Sequence, residues 1–486
     1  MSHPVTRETR SQCLNRLRHE TFDVLILGGG INGAGVLRDL TLRSKSAGVE
    51  LKAALVEKHH FASGTSGKNS QLIHGGLRYL KYLEFRLVRE ALRERSTLLE
   101  IAPHLVRPLP FLIPMFDWFS SLFYGTGLWL YDALAGARNI ARHRRLSRDE
   151  VLVLEPRISS KGLVAGALFF DCAVHSARFV LENIFEAVGN GGVAVNYVES
   201  EERVCDNGVW KITLRDTLSG ERFETRARKL VDARGPWAES GPLRLVRGSH
   251  LIFPRIGSSD HAIAHFDEQG RIIFLIPWGT HRQLTLVGTT DVDHTGSPDD
   301  VRISPDEISY LLNIIRRLYP DARSLQPISS YSSLRPLVRD ESDSATSTSR
   351  EHRIWNSPEG ILHIAGGKYT TYRSMSEEAA DLVTKEIAPA LTSVHVTAQT
   401  PLPRTPIPQT PEAAVRQAVN SEMAQRLTDA LLISSYLGYE HRWTAESLAP
   451  YAQLMGSLLG WDAKRQREEA EALEQLISVP EAACGD

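Results

Sequence analysis

The first clear pattern along the chain is a short apolar, β-rich run, Phe22 to Leu27 (FDVLIL), which ends in a cluster of glycines. Apolar residues then recur at helical spacing from Gly33 to Leu42, and a second apolar run, Leu51 to Val56 (LKAALV), ends at Glu57. Strand, glycine turn, helix and strand in that order predict the opening of a β-α-β unit. From Tyr82 to Ala102 apolar positions again follow helical spacing, with Glu84, Arg86, Arg89, Glu90, Arg93 and Glu94 between them, which predicts a surface or interdomain helix. Alternating segments at Trp210–Leu214, Arg271–Ile276 and Gln283–Val287, separated by Gly, Asp and Pro turns, predict an antiparallel sheet inserted between the nucleotide-binding pieces. Leu362–Ala365 runs into Gly366 and Gly367 and precedes a helical pattern from Tyr372 to Ile387, where the nucleotide domain is completed. Prolines crowd the stretch from Pro389 to Pro411, an expected extended, semi-rigid linker, and the pattern beyond it to Asp486 is helical.

Size and charge narrow the classes. A chain of 486 residues exceeds what one core usually supports, so two or three domains are expected. A formal net charge of -2 provides no basic field for nucleic acid. Cys13, Cys172, Cys205 and Cys484 are widely spaced and form no C-x-x-C pair, which argues against a zinc site or disulfide framework and fits a reducing compartment. The first twenty residues are charged and lack an apolar h-region, so no secretory signal is read there and the body is expected in the cytoplasm. No stretch reaches the roughly 18 apolar residues that a membrane-spanning helix needs. Phe116 to Ala135 (FDWFSSLFYGTGLWLYDALA) is rich in Trp, Phe, Tyr and Leu, a composition that suits a helix in a membrane interface and equally a buried helix of a cap domain.

Gly28, Gly30 and Gly33 spell G-x-G-x-x-G between a strand and a helix, with the acid Glu57 a little over twenty residues onward. Such glycines allow a tight turn and close backbone approach to a pyrophosphate, which the helix N-terminus stabilises through its free amides, around Ile31 and Asn32 here. Glu57 is placed to accept ribose hydroxyls. This motif alone does not separate FAD from NAD.

The choice comes from Phe61 to Tyr79 (FASGTSGKNSQLIHGGLRY). The string SQLIHGGLRYL followed by EFRLVREAL is similar to the flavin-contacting loop of the aerobic FAD-dependent glycerol-3-phosphate dehydrogenases, within the D-amino-acid-oxidase-like flavoproteins. GPW (235–237), RLVRGSHLIFPR (244–255), GTTDVD (288–293), LRPLVRDESDS (334–344) and GGKYTTYR (366–373) follow in the family's order. The resemblance spans roughly residues 20 to 380. It implies an α/β fold: a discontinuous Rossmann-like FAD-binding domain (20–98, 165–247 and 353–388), an inserted antiparallel-sheet substrate or cap domain (99–164 and 248–352), the proline-rich linker (389–410) and a C-terminal helical domain (411–486).

It also implies oxidation of sn-glycerol 3-phosphate to dihydroxyacetone phosphate, with hydride passing from C2 to flavin N5 of non-covalently bound FAD. Electrons would go on to ubiquinone or a similar quinone from a peripheral position on the cytoplasmic face of the inner membrane; a homodimer is compatible with the chain. By motif membership, the cofactor residues are Gly28, Gly30, Ile31, Asn32, Gly33, Glu57, Thr65, Ser66, Ser70, Leu72, His74, Gly75, Gly76, Gly235, Trp237, Gly367, Lys368 and Thr370. A phosphate dianion calls for Arg or Lys, and Arg78, Arg335, Arg350 and Lys368 match the substrate-pocket cations, with Tyr79 and Thr371 as hydrogen-bonding groups. Arg78 and Arg335 lie in apolar, glycine-rich surroundings where an unpaired guanidinium is costly. Their partner is the substrate or a structural carboxylate, Asp340, Glu341 or Asp343 in the case of Arg335. Arg335 and Lys368 are assigned to catalysis with His250, a candidate general base because imidazole titrates near neutral pH, or else a core histidine.

The chain departs from the family at Asp232-Ala233-Arg234-Gly235, where a small hydroxyl residue usually precedes GPW, and its C-terminal region is shorter between Pro401 and Pro411. The competing readings are an oxidase acting on the same substrate with oxygen as acceptor, and a flavin-binding paralogue of weak or no activity. An amine oxidase would lack the LIHGGLRY loop.

Overall fold

A computed structural model describes residues 9–239, 243–338 and 352–480. Two sheets organise them. The first has its centre in parallel strands, Ala53–Glu57, Thr21–Leu27 and Arg222–Asp232, with Val193–Asn196 beyond one side and Leu362–Gly366 and His352–Asn356 beyond the other. Val24 to Leu27 are all buried, as expected of a strand covered on both faces. Helices Ile31–Ala47, Ser176–Gly189 and Tyr372–Ile387 pack together beside this sheet. Leu27 pairs with Val56 on one side and Asp232 on the other, so the C-terminal strand ends line up where a nucleotide-binding crevice belongs.

The alternating segment Trp210–Leu214 belongs to this nucleotide sheet rather than to the inserted one. It lies in Val209–Asp216, which pairs antiparallel with Arg222–Asp232 and with Val198–Asp206. Alternation reports a strand with two unlike faces and carries no information about which sheet receives it.

The second sheet runs Val292–Asp293, Leu243–Pro254, Leu284–Gly288, Ile272–Trp278, Ala262–Phe266, Val106–Met115, Ala165–Val174 and Leu72–Ile73, with Ser329–Val338 and Arg144–Ser147 attached. All its pairings are antiparallel except that of Ala262–Phe266 with Val106–Met115. The segments Leu72–Ile73 and Ala165–Val174, adjoining the nucleotide unit in sequence, pair here. They bring the flavin loop against the second sheet.

The proline-rich segment is extended but packed as a strap. Leu391 and Leu402 are buried, Arg38 donates to the Thr400 carbonyl at 2.6 Å, and the Leu402 amide donates to the Ile101 carbonyl at 2.8 Å. The helices Pro411–Ser421, Ala445–Leu459 and Ala463–Ile477 follow it. Their region is anchored by the buried ion pair Arg178–Glu422 and by Tyr436, whose ring stacks on His175 with centroids 4.1 Å apart. The Tyr436 hydroxyl accepts from the Ala177 amide and donates to Gln71 Oε1, both at 3.0 Å.

Candidate active site

A cleft of about 290 Å³ runs between the two sheets, from the first glycine turn to the second sheet's face. At its nucleotide end the glycines meet a steric requirement. Gly28 has φ +108°, and a Cβ there would lie 2.7 Å from the Ala233 carbonyl oxygen; a Cβ on Gly33 would lie 1.9 Å from the Gly28 oxygen. Gly33 is therefore demanded by the turn and does not itself line the cleft, whereas Gly28, Gly30, Ile31, Asn32 and Glu57 do. Each oxygen of Glu57 accepts one backbone donor, Gly29 N–H at 2.6 Å and His59 N–H at 2.8 Å, which fixes the carboxylate at the end of its strand. No side-chain cap comes from Gly30 at the helix start, and Ser66 Oγ of the flavin loop accepts the Ile31 amide at 2.9 Å. This glycine cradle, with helix amides and a fixed acid beside it, fits the pyrophosphate and ribose of FAD.

Thr65, Ser66, Ser70, Leu72, His74 and Gly76 continue the cleft wall, opposite Gly235, Trp237, Gly367 and Lys368. Thr65 is tied across to the Leu334 carbonyl. Gly75 and Thr370 stand one layer back. Thr370 Oγ1 accepts the His74 amide at 3.1 Å and donates to the His74 carbonyl at 3.3 Å, so it shapes the loop from behind. Thr371 is likewise buried, its hydroxyl on the Lys368 carbonyl, and it does not reach the cleft.

At the other end of the cleft Lys368 Nζ sits 3.7 Å over the centroid of the Tyr79 ring, and both residues line the cleft. Arg335 lines it too. Its guanidinium donates to Asp291 Oδ1 at 2.8 Å, Thr289 Oγ1 at 2.9 Å and the Thr290 carbonyl at 3.1 Å. Gly248 makes this path open, since a Cβ there would lie 2.3 Å from Arg335 Nη2. Among the described residues the structural carboxylate of Arg335 is thus Asp291, from the GTTDVD segment. Asp340, Glu341, Asp343 and Arg350 lie outside the described residues, as does the side chain of Arg78.

His250 is 2 % exposed and is not part of the cleft lining. Its Nε2 is 3.0 Å from Ser70 Oγ, its ring stacks on Tyr331 with centroids 4.8 Å apart, and burial, with the Arg335 charge, lowers its pKa to about 3. It stands one residue behind the wall, with Ser70 between it and the cleft. Arg234 does line the cleft, but its guanidinium is engaged by Asp232 at 2.8 and 3.0 Å and by Glu239 at 3.0 Å. Its charge is compensated locally, so the departure from the family's hydroxyl adds no free cation to the nucleotide half.

Sequence reasoning did not single out several cleft residues: Thr289, Asp171 and the aromatic wall Phe111, Phe169 and Phe274, whose rings lie 5.1 and 5.7 Å apart. Asp171 did leave a signal, as the one acid inside the apolar strand AGALFFDCAV. Nor was Tyr131 singled out, whose hydroxyl accepts the Gly75 amide at 2.9 Å.

Residues 23–373 match the family of FAD dependent oxidoreductases, and the chain belongs to it. Within that family it belongs with the glycerol-3-phosphate dehydrogenases. It is 36 % identical over 401 residues to the aerobic glycerol-3-phosphate dehydrogenase of Escherichia coli K12, covering 78 % of this chain and 77 % of the relative. It is 38 % identical over 401 residues to a glycerol-3-phosphate dehydrogenase of Synechocystis, covering 76 % and 70 %. Its fold matches the FAD-complexed glycerol-3-phosphate dehydrogenase of Bacillus halodurans, with a TM-score of 0.75, 22 % identity and 97 % of each chain covered. The L-alpha-glycerophosphate oxidase of Mycoplasma pneumoniae matches with a TM-score of 0.59 at 20 % identity, covering 79 % of this chain and all of that one.

Proposed function

We propose that this protein oxidises sn-glycerol 3-phosphate to dihydroxyacetone phosphate and passes the electrons to a membrane quinone. The observation that carries the reading is the pairing of the dinucleotide cradle with two cations, Arg335 and Lys368, in one continuous cleft. Bound FAD supplies the two-electron acceptor. The chain's own groups bind and orient. Arg335, aimed by Asp291, and Lys368, held over Tyr79, neutralise the phosphate dianion, with Arg78 and Arg350 as further cations. The aromatic wall of Phe111, Phe169 and Phe274 excludes water from the carbon chain. His250, behind the wall and with its pKa lowered to about 3, is too weak a base to take the C2 hydroxyl proton at neutral pH, and its role is to hold Ser70 in place. The nucleotide sheet with its helices forms the FAD-binding domain and the second sheet the substrate domain.

Peripheral membrane docking is supported by the helix Trp118–Ala135. Its Leu128, Tyr131 and Ala135 are buried, while Trp118 and Trp129 are 74 % and 66 % exposed. Arg138, Arg142, Arg144, Arg145 and Arg148 are exposed just beyond it, and the Arg145 guanidinium lies 3.8 Å from where a Cβ of Gly125 would be. Aromatic side chains with a cationic rim suit an anionic lipid surface. No helix among the described residues is long and apolar enough to cross a membrane.

The test is anaerobic mixing of the FAD-loaded protein with sn-glycerol 3-phosphate while the flavin absorbance is followed, then addition of a ubiquinone analogue or oxygen to separate samples. Bleaching reversed quickly by quinone alone is expected. Equally fast recovery with oxygen would make the protein an oxidase, and a flavin that never bleaches would refute the substrate assignment.

A further inference from the structure

Three elements distant in sequence converge on one peptide N–H just behind the cleft wall. Asp171, 3 % exposed in the strand Ala165–Val174, accepts from Arg95 Nη1 at 2.6 Å and from the Tyr131 hydroxyl at 2.8 and 3.0 Å. The Gly75 amide donates to both of them, at 2.9 Å to the Tyr131 oxygen and 3.2 Å to Asp171 Oδ1. Arg95 comes from the helix Phe85–Ile101 and Tyr131 from the aromatic helix. A buried ion pair contributes little to stability compared with well-packed apolar residues. One amide could also be satisfied by a single carbonyl, so stability alone does not account for the arrangement.

What the network touches does account for it. Gly75 fits flush against it, since a Cβ there would lie 2.3 Å from the Tyr131 oxygen and 2.5 Å from Leu92. On one side of Gly75 is His74, pinned through its backbone to Thr370. On the other is Gly76, whose Cβ position lies 2.4 Å from the Tyr79 ring and 3.2 Å from Lys368 Nζ. Moving Gly75 by a few tenths of an ångström therefore moves Tyr79 and the ammonium resting on it. Asp171 also reaches the cleft wall, where an uncompensated carboxylate would repel a phosphate dianion, and Arg95 cancels that charge.

We infer that Tyr131, Asp171 and Arg95 are positioning residues for the substrate cation Lys368: they clamp the Gly75 amide and so set the Tyr79–Lys368 pair without touching substrate. This inference rests on the glycerol 3-phosphate reading. The test uses Tyr131→Phe in the full-length, FAD-loaded protein, which keeps the ring in its pocket and removes only the hydroxyl. Two measurements are made: steady-state kinetics with sn-glycerol 3-phosphate, and amide hydrogen exchange of the peptide spanning 72–80. Loss of the hydroxyl's bonds to Gly75 and Asp171 predicts exchange faster by about tenfold and KM raised by about tenfold, with kcat changed less than threefold and FAD content unchanged. Tyr131→Leu should reproduce the KM effect and lower thermal stability as well. Unchanged exchange would overturn the clamp, and faster exchange with wild-type KM would overturn its link to Lys368. Failure of the substrate reading looks different, because then the wild-type flavin is not reduced either.

Discussion

Arg335→Ala separates two roles that the structure superimposes on one side chain. The guanidinium lines the cleft, with its side chain 18 % exposed, and is paired with Asp291, whose side chain is 4 % exposed. If it also binds the substrate phosphate, its removal takes away charge-assisted hydrogen bonds worth about 1.5–3 kcal/mol. That corresponds to a fall in kcat/KM of roughly 10- to 150-fold, taking about 1.4 kcal/mol per factor of ten. Removal also deprives Asp291 of this guanidinium, and breaking a buried pair from one side costs about 3–5 kcal/mol at full burial. The second loss should appear as a lower unfolding temperature. The double variant Arg335→Ala/Asp291→Asn distinguishes the two. Neutralising Asp291 should recover most of the thermal stability while kcat/KM stays at least tenfold below wild type, because no cation has returned. The assays are thermal unfolding, FAD stoichiometry after gel filtration, and initial rates over a range of sn-glycerol 3-phosphate. Full recovery of kcat/KM in the double variant would show that Arg335 acts only as the partner of Asp291, and wild-type activity in Arg335→Ala would remove it from the substrate site altogether.

Gly33→Ala places a Cβ 1.9 Å from the Gly28 oxygen and should abolish FAD retention, read as the flavin-to-protein absorbance ratio of the purified protein; a full complement of FAD would refute the turn argument. Arg178→Ala leaves Glu422 buried without its counter-charge and should destabilise the protein by about 3–5 kcal/mol in chemical unfolding, while Trp129→Ala, on the surface, should not. His250 and His265 are buried, and burial lowers their pKa values to about 3 and about 4. The unfolded chain, with histidines near pKa 6.5, binds these protons first, so stability is full above about pH 6.5 and falls as pH drops toward 4, at a slope approaching about 2.7 kcal/mol per pH unit for the two. Urea midpoints that are identical at pH 7.5 and pH 5 would contradict this.

The parts of the site that could be read in the chain are those whose physics is local. Gly28, Gly33 and Glu57 lie within one β-α-β unit, and the turn that needs them is formed from that unit together with the neighbouring backbone of Ala233 and Arg234. Arg335 and Lys368 could be named because their surrounding strings resemble a family, yet their partners could not. Asp291 is 44 residues from Arg335, and Tyr79 is nearly three hundred from Lys368. The same limit hid Asp171, a strand residue whose meaning depends on Arg95 and Tyr131 arriving from two helices. It also misplaced the alternating segment Trp210–Leu214, since period identifies a strand and only the partner identifies its sheet.

The aromatic segment shows a different limit. From composition, a buried helix and an interfacial helix were alternatives. In the fold, Trp129 and Tyr131 are two positions apart on Trp118–Ala135, about 200° around the helix axis, and one is 66 % exposed while the other is 1 % exposed. Hydrophobic content summed over the segment cannot distinguish the face that packs on the protein from the face that meets solvent or lipid, because both faces are aromatic. The helix packs one face on the protein and leaves the other exposed. The Tyr131 hydroxyl ends on the Gly75 amide, one layer behind the cleft wall, and the Trp129 ring faces outward, so a single helix joins the proposed membrane-facing surface to the loop proposed to seat Lys368.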